Sequence, residues 1–172
     1  MPDIKVLLEE KAIVEKIAEL AARISRDYEG KELVVVGILK GSFMFLSDLV
    51  KRMTVPHVID FMRVSSYGSS TQHSGVVQIL LDISKPVEGK HVLVVEDIVD
   101  TGLTMKYLLE NLETRHPASV KVCSLLEKPA RTQVKITIDY LGFTIPDKFV
   151  IGYGLDWEEK YRNLPYVGYL EG

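Results

Sequence analysis

Apolar side chains at Ile13, Ile17, Leu20, Ala21 and Ile24 recur at helical spacing and predict an amphipathic helix over residues 9–28, with Gly30 as its stop. Residues 33–39, LVVVGIL, form an unbroken apolar run of strand length, as a strand buried on both faces would. A helix is predicted from Ser42 to Met53, then strands over 57–64 and 76–83. Val92 to Val95 predict another buried strand, followed by a helix from Leu103 to Arg115 and strands over 120–127, 136–140 and 149–153. Strands alternating with helices predict an α/β fold with a mainly parallel central sheet flanked by helices. The strands near 57–64 and 76–81 have no helix between them and are expected to pair antiparallel. Their connection, SSYGSSTQHSG at 65–75, is small and polar and reads as a mobile loop.

The 172 residues suit a single domain, with the tail after about residue 140 packing beside the N-terminal helix as a small hood. The net charge of −3 argues against nucleic-acid binding by bulk charge but leaves room for a charged ligand in a local pocket. The one cysteine, Cys123, excludes an internal disulfide and reads as a small buried residue. The N-terminal stretch has mixed charge and no apolar run of signal-peptide length, and no run is long enough to span a bilayer. A cytoplasmic protein is expected.

The chemistry concentrates in residues 92–104, VLVVEDIVDTGLT. Glu96 and Asp97 fall at the carboxyl end of a predicted strand, where open α/β sheets bind ligands. Asp100, Thr101 and Gly102 follow where a helix begins. The first amides of a helix are unpaired and carry partial positive charge, so Thr101, Gly102 and Thr104 can aim amides and hydroxyls at a phosphate. Glu96 and Asp97 would repel that phosphate and need another partner, which sugar hydroxyls or a hydrated Mg²⁺ would provide. A sugar phosphate satisfies both requirements. Adjacent residues of a strand point to opposite faces, so the two acids can converge only where the strand has ended. Two tempting nucleotide motifs fail on spacing. Ser42 stands where a P-loop following Gly37 needs glycine, and Trp157 stands where a dinucleotide fingerprint beginning at Gly152 needs its third.

VLVVEDIVDTGLT resembles the phosphoribosyl-diphosphate (PRPP) signature of the type I phosphoribosyltransferases. The segments LKGS (39–42), SSYG (65–68), SLLEKP (124–129), IPDKFVIGYGLD (145–156) and YRNLP (161–165) resemble the hypoxanthine(-guanine) branch of that family, in its order and over most of the chain. The resemblance implies a type I phosphoribosyltransferase fold and Mg²⁺-dependent transfer of 5-phosphoribose from PRPP to N9 of a 6-oxopurine, in purine salvage. It gives Glu96 and Asp97 the ribose hydroxyls, and Mg²⁺ as well. Asp100 becomes the general base, and Asp100, Thr101, Gly102, Leu103 and Thr104 the cradle of the 5′-phosphate. Lys40, Gly41 and Arg162 become the pyrophosphate site, with a non-proline cis peptide at Leu39–Lys40. Lys128 becomes the donor to the 6-oxo group, which an adenine amino group would oppose. Phe149 would stack on the purine, Val150 would meet its edge through the backbone, and Asp156 would border the purine and bind Mg²⁺. Ser66 and Tyr67 would belong to a lid over 65–75 that keeps water from an oxocarbenium-like transition state. A homodimer or homotetramer is implied as well.

Two other readings compete. A nucleotide-sensing regulator of the same fold without catalysis is disfavoured by the net charge and by the presence of Asp100 and Lys128. A phospho-acceptor signalling module would carry its acidic pair after the first strand rather than a later one.

Overall fold

In a computed structural model, residues 3–66 and 77–171 are described, Ser66 through its backbone alone. The first element, absent from the sequence reading, is strand β1 (Ile4–Leu8). Helix α1 (Glu10–Asp27) follows and buries Ile13, Ile17, Leu20, Ala21 and Ile24, the stripe that predicted it. Next come β2 (Leu33–Leu39), α2 (Phe43–Val50), β3 (His57–Ser66), β4 (Val77–Leu81) and β5 (His91–Val99). The chain continues through α3 (Leu103–Glu113), β6 (Ser119–Glu127), β7 (Tyr140–Thr144), β8 (Val150–Ile151) and β9 (Val167–Leu170).

Six strands form one sheet in the order β4-β3-β2-β5-β6-β7. All neighbours are parallel except β3 and β4, which pair antiparallel as expected. The continuous apolar runs of β2 and β5 feed two cores on opposite faces. Leu33, Val35, Leu93 and Val95 pack with α1 and α2, while Val34, Val36, Val92 and Val94 pack with Met105, Leu108 and Leu112 of α3. Period-two alternation sets this division, and a strand covered on both faces has no polar side to show.

A second sheet of three strands, β1-β9-β8, joins the two ends of the chain. The tail thus pairs with a strand ahead of the first helix. That pairing is non-local, Ile4 opposite Leu170, and leaves no mark in either segment alone.

Two expected strands differ. Residues 136–139 are not a strand, and β7 begins only at Tyr140. The alternation there is real, because Ile136 and Ile138 half-bury against the α3 core. Only at Asp139 does the segment reach the sheet, donating its amide to Val122 O and accepting the Val122 amide on Oδ2. The strand expected over 149–153 shrinks to Val150–Ile151, because Gly152, Tyr153 and Gly154 all take positive φ. Cys123 is fully buried, and burial pushes its thiol up. Among the described residues no helix is long and apolar enough to cross a membrane.

Candidate active site

From β2 the chain winds outward through β3 to β4, returns to β5 beside β2, and winds out the other way through β6 to β7. The reversal between β2 and β5 is a topological switch point, and ligands of open α/β sheets bind in the crevice at the strands' carboxyl ends there. Residues 39–42 leave β2 at that crevice and residues 96–104 leave β5. A cleft of about 150 Å³ lies along Glu96 to Gly102, Thr104 and Met105. A larger hollow of about 580 Å³, lined by Ala22, Arg26, Arg52 and Pro56 among others, sits near the amino ends of β2 and β3, the wrong end of the sheet for a ligand.

Glu96 and Asp97 converge even though β5 runs on to Val99. The strand achieves this by losing its plain alternation. Ile98 packs on the same core as Val95, where strict alternation would send it to the opposite face, while the pairing with β6 keeps its register from Glu96–Ser124 to Ile98–Leu126. Each acid accepts the next amide, Asp97 N–H on Glu96 Oε1 at 3.1 Å and Ile98 N–H on Asp97 Oδ1 at 2.8 Å. Glu96 is only 9% exposed, and no cation pairs with it among the described residues. Burial first, and then the Asp97 carboxylate beside it, push the Glu96 carboxyl well above the usual range. An acid pair of this kind, with Glu96 buried and Asp97 half-buried, is completed by hydroxyl donors or a cation.

The turn that follows is built for an anion. Gly102 takes φ 86° and heads α3, with no side chain of its own to cap the helix. A Cβ on Gly102 would collide with the Val134 carbonyl, so glycine is required here by the protein's own packing as well as by φ. Thr101 O accepts the amides of Gln133 and Val134, which fixes the turn from outside, and Thr101 Oγ1 accepts Leu103 N–H at 3.4 Å. Leu103 and Thr104 form the first turn of α3. Asp100 Oδ1 is buried and lies 3.2 Å from Arg131 Nε, without an aligned hydrogen bond. Arg131 escaped the sequence reading. It sits three residues after Lys128 in a short 3₁₀ turn, and only the fold brings it to Asp100.

The Leu39–Lys40 peptide bond is cis. Gly41 lies against the Asp97 carboxylate, which a Cβ on Gly41 would overlap, and a Cβ on Gly154 would collide with Gly41 O. Lys40 Nζ pairs with Glu159 at 2.7 Å. Arg162 donates from Nη1 to Gly154 O at 2.8 Å and pairs through Nη2 with Asp156 at 3.0 Å and Glu159 at 3.4 Å. The structure therefore unites Lys40, Gly41, Asp97, Asp156 and Arg162, far apart in sequence. The Ser42 hydroxyl beside Gly41 is buried and unpaired among the described residues.

Lys128 is 5% exposed, and its amide donates to Val99 O at the end of β5. Its ammonium stands 4.0 Å from Asp147 Oδ1, its one ion pair among the described residues. A buried ammonium with so loose a partner keeps donors free for a ligand oxygen. Phe149, two residues beyond Asp147, is 59% exposed and so is not a core side chain, whereas Val150 is buried and pairs with Tyr169 of β9. Trp157 stacks on Tyr161 with ring centroids 6.0 Å apart. Residues 67–75 of the expected lid, Tyr67 among them, and the Ser66 side chain lie outside the described residues, while Ser65 and Ser66 close β3 opposite Gln78 and Val77.

Among the described residues no three His, Cys, Asp or Glu side chains close on one point. Glu96, Asp97 and Asp156 instead offer single hard-oxygen donors around one crevice. That donor set fits a divalent ion held by one or two carboxylates together with substrate oxygens and water.

Residues 3–158 match the family profile of the phosphoribosyl transferase domain, and the chain belongs to that family. Hypoxanthine-guanine phosphoribosyltransferase of Lactococcus lactis is 52% identical over 167 residues, covering 97% of this chain and 91% of the relative. A crystal structure of a hypoxanthine phosphoribosyltransferase from Staphylococcus aureus superposes with a TM-score of 0.93 at 50% identity, covering 97% of this chain and 91% of the other. The bifunctional protein TilS/HprT of Listeria monocytogenes is 50% identical over 97% of this chain, which spans 26% of that protein's length.

Proposed function

We propose that the chain is a hypoxanthine phosphoribosyltransferase. It transfers 5-phosphoribose from PRPP to N9 of hypoxanthine, and of guanine, giving IMP or GMP and diphosphate in purine salvage. The observation that carries this reading is the buried Lys128 ammonium, tied through its own amide to the end of the strand that leads into the Asp100–Thr104 turn. A purine acceptor and a phosphoribosyl donor would thus meet at one strand end.

The Thr101–Thr104 turn holds the 5′-phosphate, and Glu96 and Asp97 take the ribose hydroxyls. Asp100 receives the purine proton, at N7. Lys40, the Gly41 backbone and Arg162 face the departing diphosphate and offset its growing charge. Phe149 covers one face of the base, Val150 meets its edge through the backbone, and Asp156 borders it. Mg²⁺ on Asp156, or on Glu96 and Asp97, supplies charge neutralisation to the diphosphate when bound. The three-stranded sheet serves as the hood over this crevice. A cytoplasmic location and self-association as a homodimer or homotetramer belong to the same proposal, supported by the family resemblance.

Purine choice tests this reading. With PRPP and Mg²⁺, chromatography is expected to find nucleotide from hypoxanthine and guanine and none from adenine. Lys128→Ala should lower kcat/KM for hypoxanthine about 10²-fold or more, since a lost charged hydrogen bond in a dry site costs about 3 kcal/mol, and should narrow the gap to adenine. Equal rejection of adenine by the variant would remove Lys128 from the account.

A further inference from the structure

The proposed diphosphate site already contains an anion, one the sequence reading did not single out. Glu159 Oε2 lies 2.7 Å from Lys40 Nζ and 3.4 Å from Arg162 Nη2, so one carboxylate oxygen bridges both cations assigned to the leaving group. Lys40 comes from the end of β2 and Glu159 from a loop 119 positions later. A surface ion pair is by itself weak evidence of anything, because exposed pairs form easily and contribute little. This pair differs in how its backbone is held. Glu159 takes φ 64° and Glu158 φ 51°, left-handed conformations uncommon for residues other than glycine. The Glu159 amide donates to Asp156 Oδ2 at 2.8 Å, and Trp157 and Lys160 exchange amide–carbonyl hydrogen bonds across it. The loop therefore presents this carboxylate to Lys40 and Arg162 by construction.

We propose that Glu159 is a built-in competitor for diphosphate: its carboxylate pairs Lys40 with Arg162 in the free enzyme, and diphosphate, or the diphosphate end of PRPP, binds by displacing it. The inference rests on the reading of Lys40 and Arg162 as the diphosphate site. A displaced carboxylate that stays nearby opposes every diphosphate bound, so the residue weakens product retention and favours release. The Glu159 side chain is 65% exposed and is free to swing into water when displaced.

The test compares the full chain with Glu159→Gln, which keeps length and polarity but loses charge. The chain has one tryptophan, Trp157, two residues from Glu159 and stacked on Tyr161, so its fluorescence reports on this loop as diphosphate is added with Mg²⁺. Glu159→Gln should bind diphosphate roughly 1.5-fold to fivefold more tightly at low salt, the range expected for removing one exposed competing charge. The difference should shrink as salt screens it, and product inhibition by diphosphate should tighten by the same factor. Glu159→Asn, whose side chain suits a left-handed backbone, should behave alike. A purely structural role predicts the opposite sign, because a disturbed loop would weaken binding. Equal or weaker diphosphate affinity in both variants overturns the proposal while leaving the diphosphate site intact. Failure of the unmodified chain and both variants to bind diphosphate overturns that site and this inference together.

Discussion

Replacing Asp100 by asparagine will lower kcat by about 10²–10⁴-fold, the usual worth of a positioned general base, while leaving PRPP affinity nearly unchanged. That loss corresponds to roughly 3–5 kcal/mol of transition-state stabilisation. Asparagine keeps the size and planarity of the side chain but cannot take up a proton. The phosphate turn should survive, because its conformation rests on Gly102 and on Thr101 O accepting two amides, not on the Asp100 carboxylate. Asp100 Oδ1 is buried beside Arg131 without an aligned hydrogen bond, so no rigid network is broken by the exchange. Rapid-quench measurement of the chemical step, paired with equilibrium binding of PRPP, separates the two effects. Near-normal turnover in Asp100→Asn removes it as the base.

Gly154→Ala should be almost as damaging, by a different route. Gly154 takes φ 99°, and a Cβ there runs into the carbonyl oxygen of Gly41. The same residue accepts the Arg162 guanidinium on its carbonyl and donates its amide to Arg162 O. One methyl group therefore pushes apart the two halves of the proposed diphosphate site. A displacement of about 1 Å in a positioning element costs on the order of 10²-fold, so kcat/KM for PRPP should fall by about that factor. Gly89→Ala is the control. Gly89 also has a positive φ of 70°, yet nothing lies within 4 Å of its added Cβ. It should lose about 1 kcal/mol of stability and keep its activity. Equal activity losses in both variants would show that strain alone, and not the contact with Gly41, accounts for the effect.

How far these sites could be read from the sequence depended on whether their signal was local. The stripe along α1 and the apolar runs of β2 and β5 announce themselves, because periodicity and burial are properties of adjacent residues. The acids and the turn after β5 were legible for the same reason. β1 was not, since IKVLL becomes a strand only by pairing with Val167–Leu170 at the far end of the chain. Residues 136–139 misled because half-burial against α3 imposes the alternation of a strand without its hydrogen bonds. Arg131 and Glu159 carry no motif of their own, and Asp147, although inside the segment 145–156, carries no role that the motif announces. Each gains meaning only through a partner, Asp100, Lys128 or Lys40, that folding brings to it. The convergence of Glu96 and Asp97 was expected only beyond the end of a strand, whereas it occurs within β5, where Ile98 departs from plain alternation.

One crevice is expected to join phosphoribose to a 6-oxopurine. The most direct measurement incubates the purified chain with PRPP, Mg²⁺ and hypoxanthine and quantifies IMP and diphosphate together. IMP and diphosphate are expected in equal amounts, dependent on both substrates. Diphosphate released without IMP, or no turnover of either substrate, would contradict it.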